Sequence, residues 1–268
     1  MRLNKYFLVN CAKLQNTLYK HLAKTLFIGK ELYYMPTCHS TNDEARQKGA
    51  YTDIGEGAVF ITSLQTKGRG QRGNQWESES HKNLLVSVVL KPVFLRADEH
   101  FYLNMVSALA VRRCVEQVAP HANIKVKWPN DVLVNEQKIA GILIENTLKG
   151  SRILTAIVGM GLNVNQSRFS NINATSLKLI TGEPFELTDV FERFILALEH
   201  YYLLLKAQKY EQLKSEYMSH LLGYHAKRNF RTEHVFTGEV IDVKKNGLLV
   251  LRTNQGERTF DFKELTWL

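Results

Sequence analysis

What the sequence has least of narrows its chemistry first. Three cysteines in 268 residues (Cys11, Cys38 and Cys114) are odd in number and far apart. They compose neither a disulfide framework nor a zinc-ligand set, and a reducing compartment is the simplest setting. The nine histidines are scattered, without H-E-x-x-H or a comparable pair, which argues against a structural metal site. No apolar run approaches the roughly 20 residues that a membrane-spanning helix needs. No Ser-His-Asp or Cys-His arrangement offers a nucleophile. Internal repeats and low-complexity segments are also missing. At 44% hydrophobic, the chain is long enough for one large core and a small second one.

Acidic residues are absent from the first 30 positions, and this explains most of the net charge of +9. Arg2, Lys5, Lys13, Lys20, Lys24 and Lys30 account for six of those charges, leaving +3 over the remaining 238 residues. The excess is therefore a property of the N-terminus, not a basic stripe across the body. Apolar residues from Leu3 to Leu26 recur at roughly helical spacing, without the continuous apolar centre of a secretory signal. An organelle-targeting segment and a surface helix both fit; the second is simpler.

From about residue 31 to 222, strand-like runs alternate with helical patterns. "GAVFITSLQT", "NLLVSVVLKP", "IKVKW", "DVLVN", "KIAGILIEN" and "ILTAIVGMGLNVN" are rich in Val, Ile and Leu and bounded by turn residues. Phe101, Met105, Ala108, Val111, Val115 and Val118 repeat at three or four and predict a helix closed by Pro120. A longer helical stretch, with a break in it, runs from Leu187 to Leu221. After Gly223 come short strands separated by Asn246-Gly247 and by Asn254-Gln255-Gly256, the pattern of a small antiparallel barrel. The expected division is a basic extension (1–30), a mixed α+β domain (31–222) and a small barrel (223–268).

Four stretches carry chemistry. "QTKGRGQRGNQW" (65–76) has the G-x-G-x-x-G spacing of a dinucleotide turn at Gly68, Gly70 and Gly73. That turn must open directly into a helix, whereas "NQWESESHKNLLVSVVL" shows no helical period and enters another strand. Anion binding through backbone N–H groups and the Arg69 fork fits the loop, with Trp76 able to stack on a flat ring. A mobile basic hairpin fits it about equally. "KVKWPNDVLVNEQKIAGILIE" (125–145) reads as a meander that directs Lys127, Asp131 and Lys138 toward one cleft. Two amines and a carboxylate suit a triphosphate with its magnesium; ordinary cross-strand salt bridging is the alternative. Gly141 marks a bulge or a ligand close to the backbone. "CHSTNDEARQK" (38–48) places Ser40 as N-cap of a helix, and Ser40, Thr41 and Asn42 also offer polar groups to a neutral ligand such as a urea. "VGMGLNVN" (158–165) is either a strand-end turn or a place for Asn163 to read an adenine edge.

Taken in this order, the stretches resemble the biotin protein ligase family, in a monofunctional form without an N-terminal DNA-binding domain. The resemblance implies a class II synthetase-like catalytic domain with a mixed β-sheet flanked by helices, and a C-terminal SH3-like barrel. It implies that Ser40, Thr41, Asn42 and Gln65 hold the ureido ring of biotin. Gly68, Gly70, Gln71 and Gly141 would line the same site, and Arg69 and Lys138 would engage the biotin carboxylate and the α-phosphate of ATP. Arg72, Trp76, Asn130 and Asn163 would serve the nucleotide, with Lys127 and Asp131 on phosphates and magnesium. Bacterial relatives often carry Arg where this chain has Gln71, which bears on how firmly an intermediate is retained.

The implied reaction joins biotin to ATP as biotinyl-5'-AMP and then acylates a lysine of a carboxylase carrier domain in the cytoplasm. No enzyme nucleophile is needed, so catalysis rests on positioning and on well-placed cations. A lipoate or octanoyl ligase or transferase shares the same logic; the Gly-Arg-Gly loop and Lys-Trp-Pro-Asn-Asp favour biotin. A biotin-responsive DNA-binding repressor is the other alternative. The roughly 35 residues before "STN" are too few for a winged recognition module, so no specific DNA binding is expected. A monomer and a homodimer both fit.

Overall fold

Alternation along the strands decides which side of the molecule carries chemistry and which side is core. The computed structural model describes residues 24–268 except Lys263 and the side chain of Arg72. The basic segment expected at 1–30 thus lies outside the described residues as far as residue 23, together with Cys11.

The chain begins with β1 (Leu32–Met35), α1 (Thr41–Tyr51), β2 (Val59–Thr62) and β3 (Asn83–Leu90). Then follow α2 (Phe101–Glu116), β4 (Ile124–Lys127), β5 (Asp131–Val134), β6 (Gln137–Lys149) and β7 (Arg152–Asn163). Three helices come next: α3 (Leu177–Thr181), α4 (Leu187–Lys206) and α5 (Tyr210–Ser219). The strands form one mixed sheet of order β1-β2-β3-β7-β6-β5-β4, parallel only between β1 and β2. The anticipated break in the long helical stretch falls between α4 and α5, where Gln208 takes a left-handed φ of 57°.

Even-numbered residues of β7 (Ala156, Val158, Met160, Leu162) belong to the main core, together with Val126, Val132 and Ala140. Apolar faces of α2 and α4 bury that side of the sheet; Phe101, Leu109, Phe191, Phe194 and Leu198 are all essentially inaccessible. Odd-numbered β7 residues face the other way. There Ile157 joins Phe60, Val89 and Ala45 of α1 in a smaller cluster, and the strip beyond it is free for a site. Cys38 and Cys114 are buried free thiols that burial pushes up, to about 11 and about 12, so neither supplies a thiolate at neutral pH. No helix among the described residues is long and apolar enough to cross a membrane.

The packed body reaches back past the expected boundary at residue 31. Glu199, 5% exposed on α4, accepts the backbone N–H groups of Leu26, Phe27 and Ile28 at 2.7, 2.8 and 2.9 Å. Ile28 is completely buried in the main core.

The C-terminal unit comprises β8 (Lys227–Arg231), β9 (Val235–Val243), β10 (Leu249–Thr253), β11 (Gly256–Phe260) and β12 (Thr266–Trp267). They make an antiparallel sheet of order β11-β10-β9-β8-β12; no pairing closes β11 onto β12 among the described residues. Its apolar residues Phe230, Val240, Leu249, Leu251 and Phe260 are continuous with the main core. The joint is aromatic: Trp128, 2% exposed, lies edge-on to Phe262 at 5.2 Å and donates its indole N–H to the Gly247 carbonyl at 2.8 Å. Trp128→Phe keeps the ring contact and strands that carbonyl. The expected cost is about 1–2 kcal/mol in urea unfolding with an unchanged slope; an unaltered midpoint would show that the bond contributes nothing.

Candidate functional site

Glycine clears the floor of the site. In the sheet register Gly141 of β6 faces Gly161 of β7, and Gly159 lies two residues along on the same side. A Cβ on Gly161 would come within 2.4 Å of the Trp76 indole, and one on Gly159 within 2.3 Å of the Asn42 amide oxygen. Any larger residue at either position would therefore evict the side chain resting there.

The same row of the sheet carries the charges. Lys127 pairs in register with Asp131, and Asp131 with Gly141, so all three face the site side. Strict alternation would turn Lys138 away from Gly141. A β-bulge breaks the register between Val132 and Leu133, so that Leu133 pairs with Lys138 while Val132 pairs with Ala140. The extra residue re-aims Lys138 onto the face of Gly141. Its amine then reaches Asp131 at 2.7 Å and stands 5.6 Å from the Trp76 ring centre. Lys127 has no ion-pair partner among the described residues; burial holds its pKa below the ordinary lysine value, partly offset by Asp131.

The polar end is built by α1. Ser40 occupies the N-cap position but makes no capping hydrogen bond; it is 3% exposed and lines the cavity. Capping is thus not what its hydroxyl is used for. Ser87 of β3 donates to Asn42 Oδ1 at 2.6 Å, and its Oγ shares a hydrogen bond of 2.7 Å with Thr41 Oγ1. Gln65 Oε1 accepts from the Thr41 backbone N–H at 2.8 Å. Asn42 donates to the Glu145 carboxylate at 2.7 Å.

The glycine loop joins β2 to β3 and opens into no α-helix, as its sequence context required; it holds only one 3₁₀ turn, Gln71–Gly73. It folds back on itself through Trp76 N–H to Gly68 carbonyl (2.9 Å) and Gly70 N–H to Asn74 carbonyl (2.7 Å). One terminal nitrogen of Arg69 sits 2.8 Å from both Asp43 and Glu145. Arg46 bonds those same two carboxylates, closing a ring of alternating charge that ties the loop to α1 and β6.

These elements enclose one cavity of about 440 Å³. Ser40, Thr41, Asn42 and Gln65 line one part, and Arg69, Gly70, Gln71 and Trp76 the loop side. Lys127, Asn130, Asp131, Lys138 and Gly141 complete the set brought together from the sequence. Gly68 is buried behind Trp76 rather than in the lining. Asn163 also lies off the cavity: it follows Gly161 on the same face, but the crossing chain at Thr175 covers it and accepts its amide N–H at 2.9 Å. Its Oδ1 is buried without a partner among the described residues. Asp131 is the single acid in the lining, and no cluster of three or more metal-binding side chains exists among the described residues. The wall that sequence reasoning missed is Phe262, Leu265, Thr266 and Trp267 of the C-terminal unit.

A cavity with a urea-sized polar end, an arginine-bearing glycine loop and a lysine-rich far end defines a site for activating an acid with a nucleotide. The model of the biotin/lipoate A/B protein ligase family matches residues 34–163. Bifunctional ligase/repressor BirA of Bacillus subtilis is 30% identical over 240 residues, spanning 87% of this chain and 73% of that protein. A biotin--[acetyl-CoA-carboxylase] ligase of Mycobacterium tuberculosis is 33% identical over 48% of this chain and 47% of its own length. Among solved structures, the biotin protein ligase from Aquifex aeolicus in complex with biotin and ATP matches with a TM-score of 0.74 at 25% identity. That match covers 88% of this chain and 98% of that one. The chain belongs to the biotin protein ligase family.

The half-buried Lys127 amine carries a sign that stability measurements read. Its folded-state pKa lies below its unfolded value of 10.5, so the unfolded chain binds the extra proton and this residue's contribution to stability rises with pH between the two values. Lys127→Met is expected to be more stable than the parent at pH 7, with the gap narrowing as pH climbs toward the ordinary lysine range. A gap that does not vary with pH counts against charge burial as its cause.

Proposed function

We propose that the protein is an ATP-dependent biotin protein ligase acting on the carrier domain of a biotin-dependent carboxylase. The observation that carries this reading is the convergence of Ser40–Asn42, Arg69, Lys138 and Lys127 on one cavity whose floor is glycine. In the first step a biotin carboxylate oxygen attacks the α-phosphorus of ATP, the bond to the β-phosphate oxygen breaks, and pyrophosphate leaves. In the second, an acceptor lysine amine attacks the carbonyl of biotinyl-5'-AMP, loses a proton and expels AMP.

Each residue has a part in this scheme. The polar end takes the ureido ring, with Ser40 and the unengaged amide nitrogen of Gln65 as its free donors. Arg69, held by one terminal nitrogen, offers its remaining N–H groups to the carboxylate and α-phosphate as a fork. Lys138 neutralises charge on the pentacoordinate phosphorus, and its ion pair with Asp131 fixes it there without a flexible search. Gly70 and Gln71 roof the intermediate and exclude water, while Gly68 holds the loop's hairpin from behind Trp76. Trp76 stacks on the adenine, and Asn130 and Arg72 serve the nucleotide, whereas Asn163, covered by Thr175, takes no part in reading it. Magnesium neutralises phosphate charge when it arrives with ATP. A lone Asp131 fits an ion brought by its own phosphates and not one held in a protein cage.

Incubation with biotin, ATP and magnesium is expected to release pyrophosphate and leave a bound biotinyl nucleotide. Biotin, and not lipoate, raises the thermal midpoint; the reverse preference would give the protein to the lipoate branch. Lys138→Ala is expected to lower pyrophosphate release by about two orders of magnitude or more with a near-parental midpoint. Full ligation by that variant overturns the assignment.

A further inference from the structure

The arginine of the glycine loop is held by more acid than its own charge can balance. A single terminal nitrogen of Arg69 meets Asp43 and Glu145, each at 2.8 Å. One guanidinium between two carboxylates leaves a net charge of −1, the wrong sign for a fork that is to receive a ligand's carboxylate. Arg46 corrects that balance. Its guanidinium lies 3.1 Å from Asp43 and also bonds Glu145, so the four groups together are neutral.

Two periodicities bring these groups together. On α1, Arg46 stands three residues from Asp43 and four from Asn42, within one turn of the helix. On β6, alternation puts Glu145 on the same side of the sheet as Gly141 and Leu143, which is the side α1 covers. Glu145 Oε2 accepts from Asn42 at 2.7 Å as well as from Arg69, so it touches both the polar end and the loop end of the pocket. Asp43, Arg46 and Glu145 all lie outside the cavity lining. Arg46 lines a separate groove farther along α1, beside Tyr51, Asp53 and Leu154. It therefore acts on a bound ligand only through the acids and Arg69. The Arg46 side chain is 50% exposed, and solvent screens it, so its influence is several-fold and not orders of magnitude.

Resting on the ligase reading, we infer that Arg46 is a positioning residue for the biotin carboxylate. It neutralises the two acids that hold Arg69, so that they orient the loop's arginine without cancelling it. The charge that greets the ligand is thus set from outside the pocket, by a residue of α1 that the ligand never meets.

Calorimetric titration of the full chain at low ionic strength, with biotin and with the uncharged biotin methyl ester, tests this. Arg46→Met keeps the stem of the side chain and removes the charge. It is expected to weaken biotin about fivefold, the size of an exposed charge interaction, and to leave the ester within about twofold. Arg46→Lys restores the charge and most of the biotin affinity. Adding Asp43→Asn to Arg46→Met removes one charge of each sign from the ring and is expected to return biotin to within about twofold of the parent. Glu145 is left in place because it also holds Asn42. Lost packing or a distorted α1 would weaken both ligands alike and would not be repaired at Asp43. Equal weakening of biotin and its ester, no weakening, or a lysine or double variant as weak as Arg46→Met overturns the inference. A parent chain that binds neither ligand brings down the ligase reading and this one together; a parent that binds biotin, with variants that bind it equally well, sinks only the role of Arg46.

Discussion

The contact on which the site depends is Trp76 resting against a strip of sheet stripped of side chains. Close packing elsewhere in the sheet leaves no room for an indole, and a Cβ on Gly161 would lie 2.4 Å from it. With the ring seated there, the glycine loop has a footing on β6 and β7, Lys138 has an aromatic face to lie over, and Arg69 is carried to Asp43 and Glu145. The loop's backbone bonds stabilise its own small hairpin, but the indole sets its height above the floor.

A second constraint is the register slip in β6. It costs one ladder pairing and turns a lysine that alternation would have sent into the apolar core toward Asp131 instead. The two lysines of this edge then behave differently. Lys138 is paired and oriented, whereas Lys127 keeps its charge in a half-buried place that Asp131 only partly offsets. Placing a desolvated cation where phosphate charge develops is a cost in the empty protein that becomes an attraction in the loaded one.

Much of this was legible in residue order. Runs of Val, Ile and Leu marked six of the seven strands of the main domain, β2 to β7, and the 3.6-residue period marked α2 and the α4–α5 stretch, because in each case burial is a local pattern. The four chemical stretches were legible because glycine, arginine and lysine at those spacings have few structural uses. What escaped depends on pairing across distance. β1 has four half-buried residues and no alternation, and exists because it runs parallel to β2. Ser40 read both as a helix cap and as a ligand donor, and only the fold shows its hydroxyl making no cap and lining the cavity. Asn163 has the right parity for the site but is roofed by Thr175, a contact its own strand does not announce. Phe262 to Trp267 looked like the close of a small sheet, and only the docking at Trp128 brings them to the cavity.

That docking has a consequence for how the molecule comes apart. The apolar interior of the C-terminal sheet is continuous with that of the main domain, and the cavity has walls from both. Neither part can melt without exposing the interior of the other, so the two lose order in a single cooperative event. Occupancy of the cavity then tightens the whole chain and not one module of it, since a ligand that touches both walls is lost with either.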